Sequence, residues 1–278
     1  MSSAATVEAW SGKDRGDENF PVGSLLIRRD LREHVHAFYA FARNADDIAD
    51  SATLAVDEKI ARLDAMEDVL LGRRDAGSPS ALRLRASLAA TGVAARHSTD
   101  LLIAFRRDAT KLRYADWDEL YDYCRYSAMP VGRHVLDLHG EDHATHEPSD
   151  ALCTALQVLN HLQDCAKDLA ALDRCYLPLD MLAECGASVD QLRGPSETPG
   201  LRRVFDRLLD HVDALNVAAI DLPRRTRSRG LRLETAVIVG LSRRLTRRLR
   251  RGDPLARRVK LTKGDVLGAA VAALRHWW

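Results

Sequence analysis

Two short acidic motifs are the parts of this sequence best suited to metal chemistry. The segment "RNADDIAD" carries Asp46 and Asp50, and the segment "LNHLQDCAKD" carries Asn160, Asp164 and Asp168. Within each motif these residues are four positions apart, so on an α-helix they share one face. Like charges at this spacing destabilise a helix by roughly 0.2–0.5 kcal/mol unless solvent or a cation compensates them.

These oxygen-rich faces have two interpretations. A pair of aspartates on a helix is commonly just a solvated surface. However, Asp46 and Asp50 directly follow the apolar, aromatic stretch "HAFYAFARNA", where a solvated helix would carry more charge. Mg²⁺ prefers oxygen ligands and shares them with substrate phosphates. Two such faces across a cavity could bind a diphosphate through bridging metals and stabilise its charge as it leaves. The residues alone leave both interpretations open.

The elements that must position these motifs are predicted to be helices. Apolar residues recur at helical intervals, as in "LREHVHAFYAFARNADDIADS", and alternating strand patterns and internal repeats are absent from the sequence. Pro130 and Gly132 predict a kink or break within 116–140, followed by a polar connector and a helix over 150–172. We therefore expect one all-α domain over residues 1–278, with residues 1–18 flexible.

Composition excludes several classes of protein. The chain has 278 residues, 46% of them apolar, and a net charge of +1, which gives no general electrostatic basis for binding nucleic acid. Its five cysteines form no CxxC pair, so we expect buried thiols in a reducing cytosol. The N-terminus lacks a signal-peptide pattern, and no apolar run approaches the about 18 residues of a spanning helix.

The arginine-rich stretch from Arg224 to Arg258 also has two interpretations. It could be a solvated amphipathic helix, or it could contact anionic lipid headgroups. The terminal "AALRHWW" favours the second interpretation, because Trp277 and Trp278 suit a membrane interface. We expect a cytoplasmic protein, with contact at the cytoplasmic membrane surface as the open alternative.

Several longer segments resemble the squalene/phytoene synthase family. "FYAFARNADDIADS" and "LNHLQDCAKDLAALDRCYLP" are similar to its paired aspartate-rich signatures, in the same order and at a similar interval. "ENFPVGSLLIRRDLREHV", "YCRYSAMPVGRHVLDLHG" and "RRLTRRLRRGDPLARRVKLTKGD" extend the likeness over most of the chain. The resemblance implies an isoprenoid synthase fold, in which helices surround a central cavity. "ENFPVGS" and "LNHLQDC" are similar to the bacterial branch that forms hydroxysqualene for hopanoid synthesis.

The resemblance also implies roles for individual residues. It implies that the acidic motifs bind three Mg²⁺ ions that bridge a diphosphate. It assigns the diphosphate contact to Arg43, the closing "RxY" element to Arg174 and Tyr176, and cavity-lining aromatic positions to Tyr39 and Tyr126. Most family members carry arginine where this chain has Gln163, so a cation near the diphosphate is missing here.

The implied reaction is ionisation of presqualene diphosphate, rearrangement of the cation and capture by water to give hydroxysqualene. Tyrosine faces would stabilise the cation by roughly 0.5–2 kcal/mol per contact. Partner enzymes of the same pathway, a synthase and a reductase, are implied as well. One alternative is another head-to-head synthase, which makes presqualene diphosphate, squalene or phytoene. Another is an inactive binding or assembly homologue, although such a protein has no reason to keep five uncompensated metal ligands.

Other features have competing explanations. The break at Pro130 and Gly132 is either purely structural or makes room for a long prenyl chain. His161 either lines the cavity or lies on the helix surface. We expect Cys124, Cys153, Cys165 and Cys175 to be structural thiols rather than nucleophiles.

Overall fold

Helices provide nearly all of the regular structure in the computed structural model, which describes residues 6–8 and 26–277. The other regular features in these ranges are short 3-10 turns and an isolated bridge between Arg113 and Cys175. The all-α prediction is therefore confirmed. The helices are α1 (Arg32–Ala49), α2 (Val56–Leu70), α3 (Pro79–Thr91), α4 (Arg96–Thr110), α5 (Trp117–Ser127), α6 (Met129–Leu138), α7 (His146–Leu172), α8 (Leu179–Glu184), α9 (Pro199–Ala218), α10 (Leu222–Arg225), α11 (Arg229–Leu249) and α12 (Lys263–Ala273).

Local sequence signals account for several helix ends. The Ser78 hydroxyl accepts a hydrogen bond from the Ala81 backbone N–H and so caps α3. The same helix ends at Gly92, whose φ of 73° lies in the left-handed region that glycine adopts readily. At α12, Thr262 and Asp265 form a reciprocal capping box. Each of these helix ends therefore has a local cause in the sequence.

Two large apolar clusters form most of the core. One cluster joins α1 to α4 and includes Phe41, Met66 and Leu101, while the other surrounds α7 and includes Leu159 and Phe205. Each of these side chains is almost fully buried. Burial of one such side chain contributes about 1.5–3 kcal/mol. Because α1 belongs to the first cluster and α7 to the second, the two acidic motifs lie on helices from different halves of the core.

The region around Pro130 differs in part from the prediction. The helix breaks between Ser127 and Met129, and Pro130 lies in the first turn of α6, as expected. Gly132 lies within α6 rather than at the break. A Cβ atom at Gly132 would lie 2.3 Å from Ser149 Oγ and 2.7 Å from Cys153 Sγ, so glycine allows α6 and α7 to approach closely.

The polar connector before α7 is shorter than predicted. A 3-10 turn covers His143–Thr145, and α7 begins at His146 instead of residue 150. Asp142 starts this turn, because its carboxylate accepts a hydrogen bond from the Ala144 N–H. Thus a local cap extends the helical structure into a segment whose composition suggested a loop.

The predicted flexible segment, residues 1–18, lies outside the described residues except for 6–8. There the Val7 N–H donates to the Gly77 carbonyl oxygen at 2.8 Å. The Glu8 carboxylate accepts hydrogen bonds from the hydroxyls of Ser78 and Ser80. These contacts attach residues 6–8 to the start of α3.

Candidate active site

The two acidic motifs approach each other at the carboxyl ends of α1 and α7. Asp50 directly follows α1, and its charge raises the pKa values of Asp46 in its own motif and of Asp168 in the other. Arg174, two residues after α7, donates from Nη1 to Asp50 Oδ1 at 2.6 Å and from Nη2 to the Ala49 carbonyl oxygen at 3.0 Å. Arg174 therefore links the first acidic motif to the segment that follows the second motif in the chain.

The carboxylates of this site destabilise each other's charged forms. Burial, followed by the charge of Asp50, raises the pKa of Asp46 to about 8. Burial, followed by the charge of Asp164, raises the pKa of Asp168 to about 7. Removal of carboxylates from water and their mutual repulsion both disfavour ionisation, and a cation among them would reverse that effect. The donor set of carboxylate and amide oxygens fits a hard divalent ion.

Arg43 lies beside the first motif. Its guanidinium is 3.1 Å from Asp46 Oδ2 and 3.2 Å from Asp47 Oδ1. Tyr39 is half-buried one turn earlier on α1, in the same row of side chains as Arg43 and Asp46. The row places an aromatic ring, a cation and a carboxylate along one face of α1.

The connector between α11 and α12 contacts the second motif. Arg258 Nη2 donates to Asp164 Oδ2 at 2.9 Å, and Gln163 Nε2 donates to the Val259 carbonyl oxygen at 2.6 Å. Gln163 is buried, and its side-chain nitrogen contacts protein backbone. Asp164 therefore does have a guanidinium partner, but that partner is Arg258 and not a residue at position 163. Asn160 is half-buried one turn before Asp164 on α7.

Asp108 is a further carboxylate beside the first acidic motif, and the sequence analysis missed it. It lies near the carboxyl end of α4, where burial raises its pKa to about 6 and its charge in turn raises the pKa of Asp46. The hydroxyls of Tyr123 and Tyr176 donate to its two oxygens at 2.8 and 2.9 Å. One signal was present in the sequence, because Asp108 follows Leu101 by seven residues and so lies on the buried face of α4.

Tyr176 and His161 stack beside Asp108. Their ring centroids are 3.6 Å apart, and the rings are nearly parallel. His161 is buried, which excludes the helix-surface alternative, and burial lowers its pKa to about 3. The imidazole is therefore neutral at physiological pH. Tyr176 contacts the acidic cluster through its bond to Asp108.

Tyr126 contacts a cation and lies at the end of α5. The Arg107 guanidinium lies 4.6 Å from the centre of its half-buried ring. Arg107 precedes Asp108 on α4, so this ring lies next to the helix that carries the buried carboxylate.

The cysteines form no disulfide among the described residues, as expected for structural thiols. Cys124, Cys165 and Cys175 are buried and free, and Cys153 is half-buried and free.

A second group of potential metal ligands lies at the opposite end of α7. His97 Nε2 and His146 Nε2 lie 2.7 and 2.8 Å from the two oxygens of Asp137, and His143 lies near the same carboxylate. His146 precedes Asn160 by 14 residues, a separation of about 21 Å along a helix. This cluster is therefore separate from the acidic motifs, and hydrogen bonds from His97 and His146 already engage both oxygens of Asp137.

Comparison with known proteins identifies the family. The squalene/phytoene synthase family matches residues 13–265. The chain belongs to that family. It is 46% identical to a hydroxysqualene synthase from Rhodopseudomonas palustris, over 99% of this chain and 93% of that protein. It is 45% identical to a hydroxysqualene synthase from Sinorhizobium fredii, over 94% of this chain and 89% of that protein.

A solved structure supports the same assignment. The crystal structure of a squalene synthase from Alicyclobacillus acidocaldarius matches with a TM-score of 0.74 and 35% identity, covering 85% of this chain and 90% of that one. A dehydrosqualene synthase matches with a TM-score of 0.80 at 20% identity, over 94% of this chain and 92% of that one. The second match concerns the fold alone.

Proposed function

We propose that this family member is a hydroxysqualene synthase, which converts presqualene diphosphate and water into hydroxysqualene and diphosphate. The observation that carries the proposal is the 42–46% identity, over nearly the whole chain, to three hydroxysqualene synthases. Capture of the rearranged cation by water forms the new C–O bond and releases one proton. The reaction belongs to the lyase class and needs no hydride donor.

We propose that the acidic motifs hold the divalent metal ions that the family uses, in this case three Mg²⁺ ions. When bound, the ions neutralise the diphosphate and stabilise its charge as it leaves. The carboxylates of the two motifs would position the ions and the diphosphate. Arg174 supports this arrangement, because it already holds Asp50 in place. The proposed metal ligands are Asp46, Asp50, Asn160, Asp164 and Asp168.

The proposed substrate contacts come from the residues around the metal ligands. Arg43 has its guanidinium beside Asp46 and would contact the diphosphate, while Arg174, Tyr176 and Gln163 would complete the diphosphate pocket. The rings of Tyr39 and Tyr126 would line the hydrocarbon part and stabilise the cation. The stacked pair of Tyr176 and neutral His161 offers buried ring surface and no ionised group, which suits exclusion of water during rearrangement.

We also propose that the protein works at the cytoplasmic membrane surface, between a synthase that supplies presqualene diphosphate and a reductase that removes the hydroxyl group. Its proposed substrate is a lipid, which is concentrated in membranes. Among the described residues no helix has both the length and the apolar character needed to cross a bilayer.

A product assay tests this function. Purified protein and Mg²⁺ are incubated with presqualene diphosphate or with farnesyl diphosphate, and the extracted lipids are analysed. We expect hydroxysqualene from presqualene diphosphate and no turnover of farnesyl diphosphate alone. Squalene formed only in the presence of a reduced nicotinamide would show a reductive head-to-head synthase instead. If neither substrate gave a product, the protein would be an inactive binding homologue.

A further inference from the structure

The last helix exposes its large side chains and buries its small ones. In α12 the buried residues are Ala269 and Ala273, and Ala269 lies against Gly240 of α11. The large apolar side chains of α12 and the turn after it are exposed: Val266 (48%), Leu267 (67%), Val271 (59%), Leu274 (58%) and Trp277 (48%). This is the reverse of an ordinary surface helix, and a contiguous apolar patch of this kind marks an interaction site.

An arginine-lined cleft of about 540 Å³ lies beside this helix. Its arginines Arg244, Arg247, Arg251 and Arg257 form no salt bridge with any carboxylate of the described residues. The cleft has a single acidic lining residue, Asp265, which is already paired with Arg248 at 2.6 Å. Within the part of the chain that the structure describes, no carboxylate therefore balances the charge of these four arginines.

The opposite side of the same region is different. Arg250, also at the end of α11, is bound to Asp210 and Asp213 of α9 at 2.6 and 2.7 Å. The arginines that face α9 are thus neutralised within the fold. On the side of α12, Arg248 is paired with Asp265, but Arg244, Arg247, Arg251 and Arg257 have no carboxylate partner among the described residues.

A second, smaller cleft brings the cationic and apolar parts together. It has a volume of about 220 Å³ and lies between α11 and α12. Arg244 and Arg247 line both clefts, and Ala272, Ala273 and Arg275 line the far side of the smaller one. The smaller cleft thus reaches α12 and the turn after it, where the exposed Val271 and Leu274 are the sequence neighbours of the lining residues Ala272 and Arg275.

We infer that the two arginine-lined clefts and the exposed side chains of α12, together called the α12 face, dock onto a bilayer containing anionic phospholipid. The headgroup phosphates enter the arginine clefts, and the outward side chains of Leu267, Val271 and Leu274 enter the acyl boundary. The inference deepens the membrane contact proposed above and rests on that proposal. A basic surface beside an apolar helix favours an anionic bilayer, since both parts of that surface meet a matching layer. Trp277 suits the interface, while Trp278 lies outside the described residues.

Vesicle sedimentation of the full chain tests the α12 face. The vesicles contain either phosphatidylcholine alone or an equimolar mixture of phosphatidylcholine and phosphatidylglycerol. We expect the protein to sediment with the mixed vesicles, to do so less as salt increases, and to bind phosphatidylcholine at least tenfold more weakly. No sedimentation with the mixed vesicles would overturn the inference.

Matched variants separate this surface from general charge and hydrophobicity. Leu267→Asp and Arg247→Glu should each weaken binding to the mixed vesicles about tenfold. Their controls are Val56→Asp on α2 and Arg83→Glu on α3, which change exposed side chains elsewhere and should bind like the wild type. Equal binding by all of these variants would overturn the inference. So would a wild-type dimer in sedimentation velocity that Leu267→Asp converts to monomer, because the face would then be a subunit interface.

Turnover of detergent-dispersed presqualene diphosphate distinguishes this inference from the proposed function. Leu267→Asp and Arg247→Glu should keep wild-type turnover in detergent while losing vesicle binding. If the wild type binds mixed vesicles but gives no product in detergent, the proposed reaction is wrong and the docking surface stands. If it gives product but does not bind vesicles, the reaction stands and the docking surface is wrong.

Discussion

Arg258 and Asp108 show how single residues complete a site that the spacing of the motifs only outlines. The sequence places Gln163 where a cation was expected, and the fold brings Arg258 to Asp164 from 94 positions further along the chain. Asp108 joins the cluster from α4. Each of the two motifs could be predicted, because the residues within a motif are neighbours on a single helix. These two residues could not, because their positions depend on how distant helices pack.

Replacement of Asp164 tests the proposed metal site at the level of one residue. Asp164→Ala removes a proposed ligand, so we expect turnover of presqualene diphosphate to fall by about two to three orders of magnitude or more. Helical circular dichroism should stay as in the wild type, because the half-buried side chain lies outside the apolar clusters. The exposed change Asp190→Ala is the control. Loss of the helical signal would mean that Asp164 is structural.

His134 should make the stability of the protein sensitive to acid. It is buried against Phe38 and, among the described residues, has no hydrogen-bond partner for either ring nitrogen. Burial lowers its pKa to about 3, compared with 6.5 in an unfolded chain. Below pH 6.5 the unfolded chain therefore binds a proton that the folded chain does not, and stability decreases as the pH falls towards 3.

The variant His134→Phe should remove this contribution. Between pH 7 and pH 5, the loss in the free energy of unfolding should shrink by about 2 kcal/mol relative to wild type. Urea unfolding at the two pH values measures the change. His143→Gln, at an exposed position, serves as the control. An unchanged pH dependence in His134→Phe would show that the buried imidazole is not the source.

At the level of elements, the helices themselves were largely predictable and their close approaches were not. The periodicity of α1, the cap of α3 and the break before α6 all follow from local sequence. Gly132 was expected to help break a helix, yet it lies inside α6 and faces α7. A glycine that permits contact and one that interrupts a helix have the same sequence signature, so only the packed structure separates them.

Gly132→Ala tests the contact between α6 and α7. The added methyl group must displace both Ser149 Oγ and Cys153 Sγ. Overpacking of this kind costs about 1–3 kcal/mol, which we expect to exceed the about 1 kcal/mol gained by alanine in a helix. The melting temperature should therefore decrease.

Gly264→Ala is the matched control for this change. Gly264 is also helical, but its nearest contact would be Thr262 Oγ1 at 3.8 Å. We expect its melting temperature to stay equal or increase. A Gly132→Ala protein that melts at or above the wild-type temperature would show that α6 and α7 can separate without cost.

In the whole molecule, the candidate site lies where two halves of the core meet. The first acidic motif lies at the end of α1, which packs in the cluster of α1 to α4, and the second lies on α7, which packs in the other cluster. The family resemblance predicted this all-α arrangement around paired motifs. The arrangement of the twelve described helices depends on contacts between distant residues, which periodicity does not reveal.

Ligands that bridge the two halves should stabilise the whole fold. Mg²⁺ with inorganic pyrophosphate, at about a hundred times their dissociation constant, should add about 2.7 kcal/mol to the free energy of unfolding. For a chain of this size the melting temperature should rise by roughly 5–10 °C. Pyrophosphate with a chelator should give no increase, and Asp168→Asn should reduce it. An equal increase with the chelator would contradict a metal-bridged site.

Asp50, Asp108 and Asp168 lie in the last turn of α1, α4 and α7 or directly after it. Each helix ends in carbonyl groups that no intrahelical N–H satisfies, so its carboxyl end carries a partial negative charge. Three macrodipoles therefore point their negative poles at the place proposed for an anionic substrate. The guanidinium groups of Arg43, Arg174 and Arg258 are each already paired with a carboxylate of the site, so we expect a diphosphate to enter more readily together with its divalent counterions than alone.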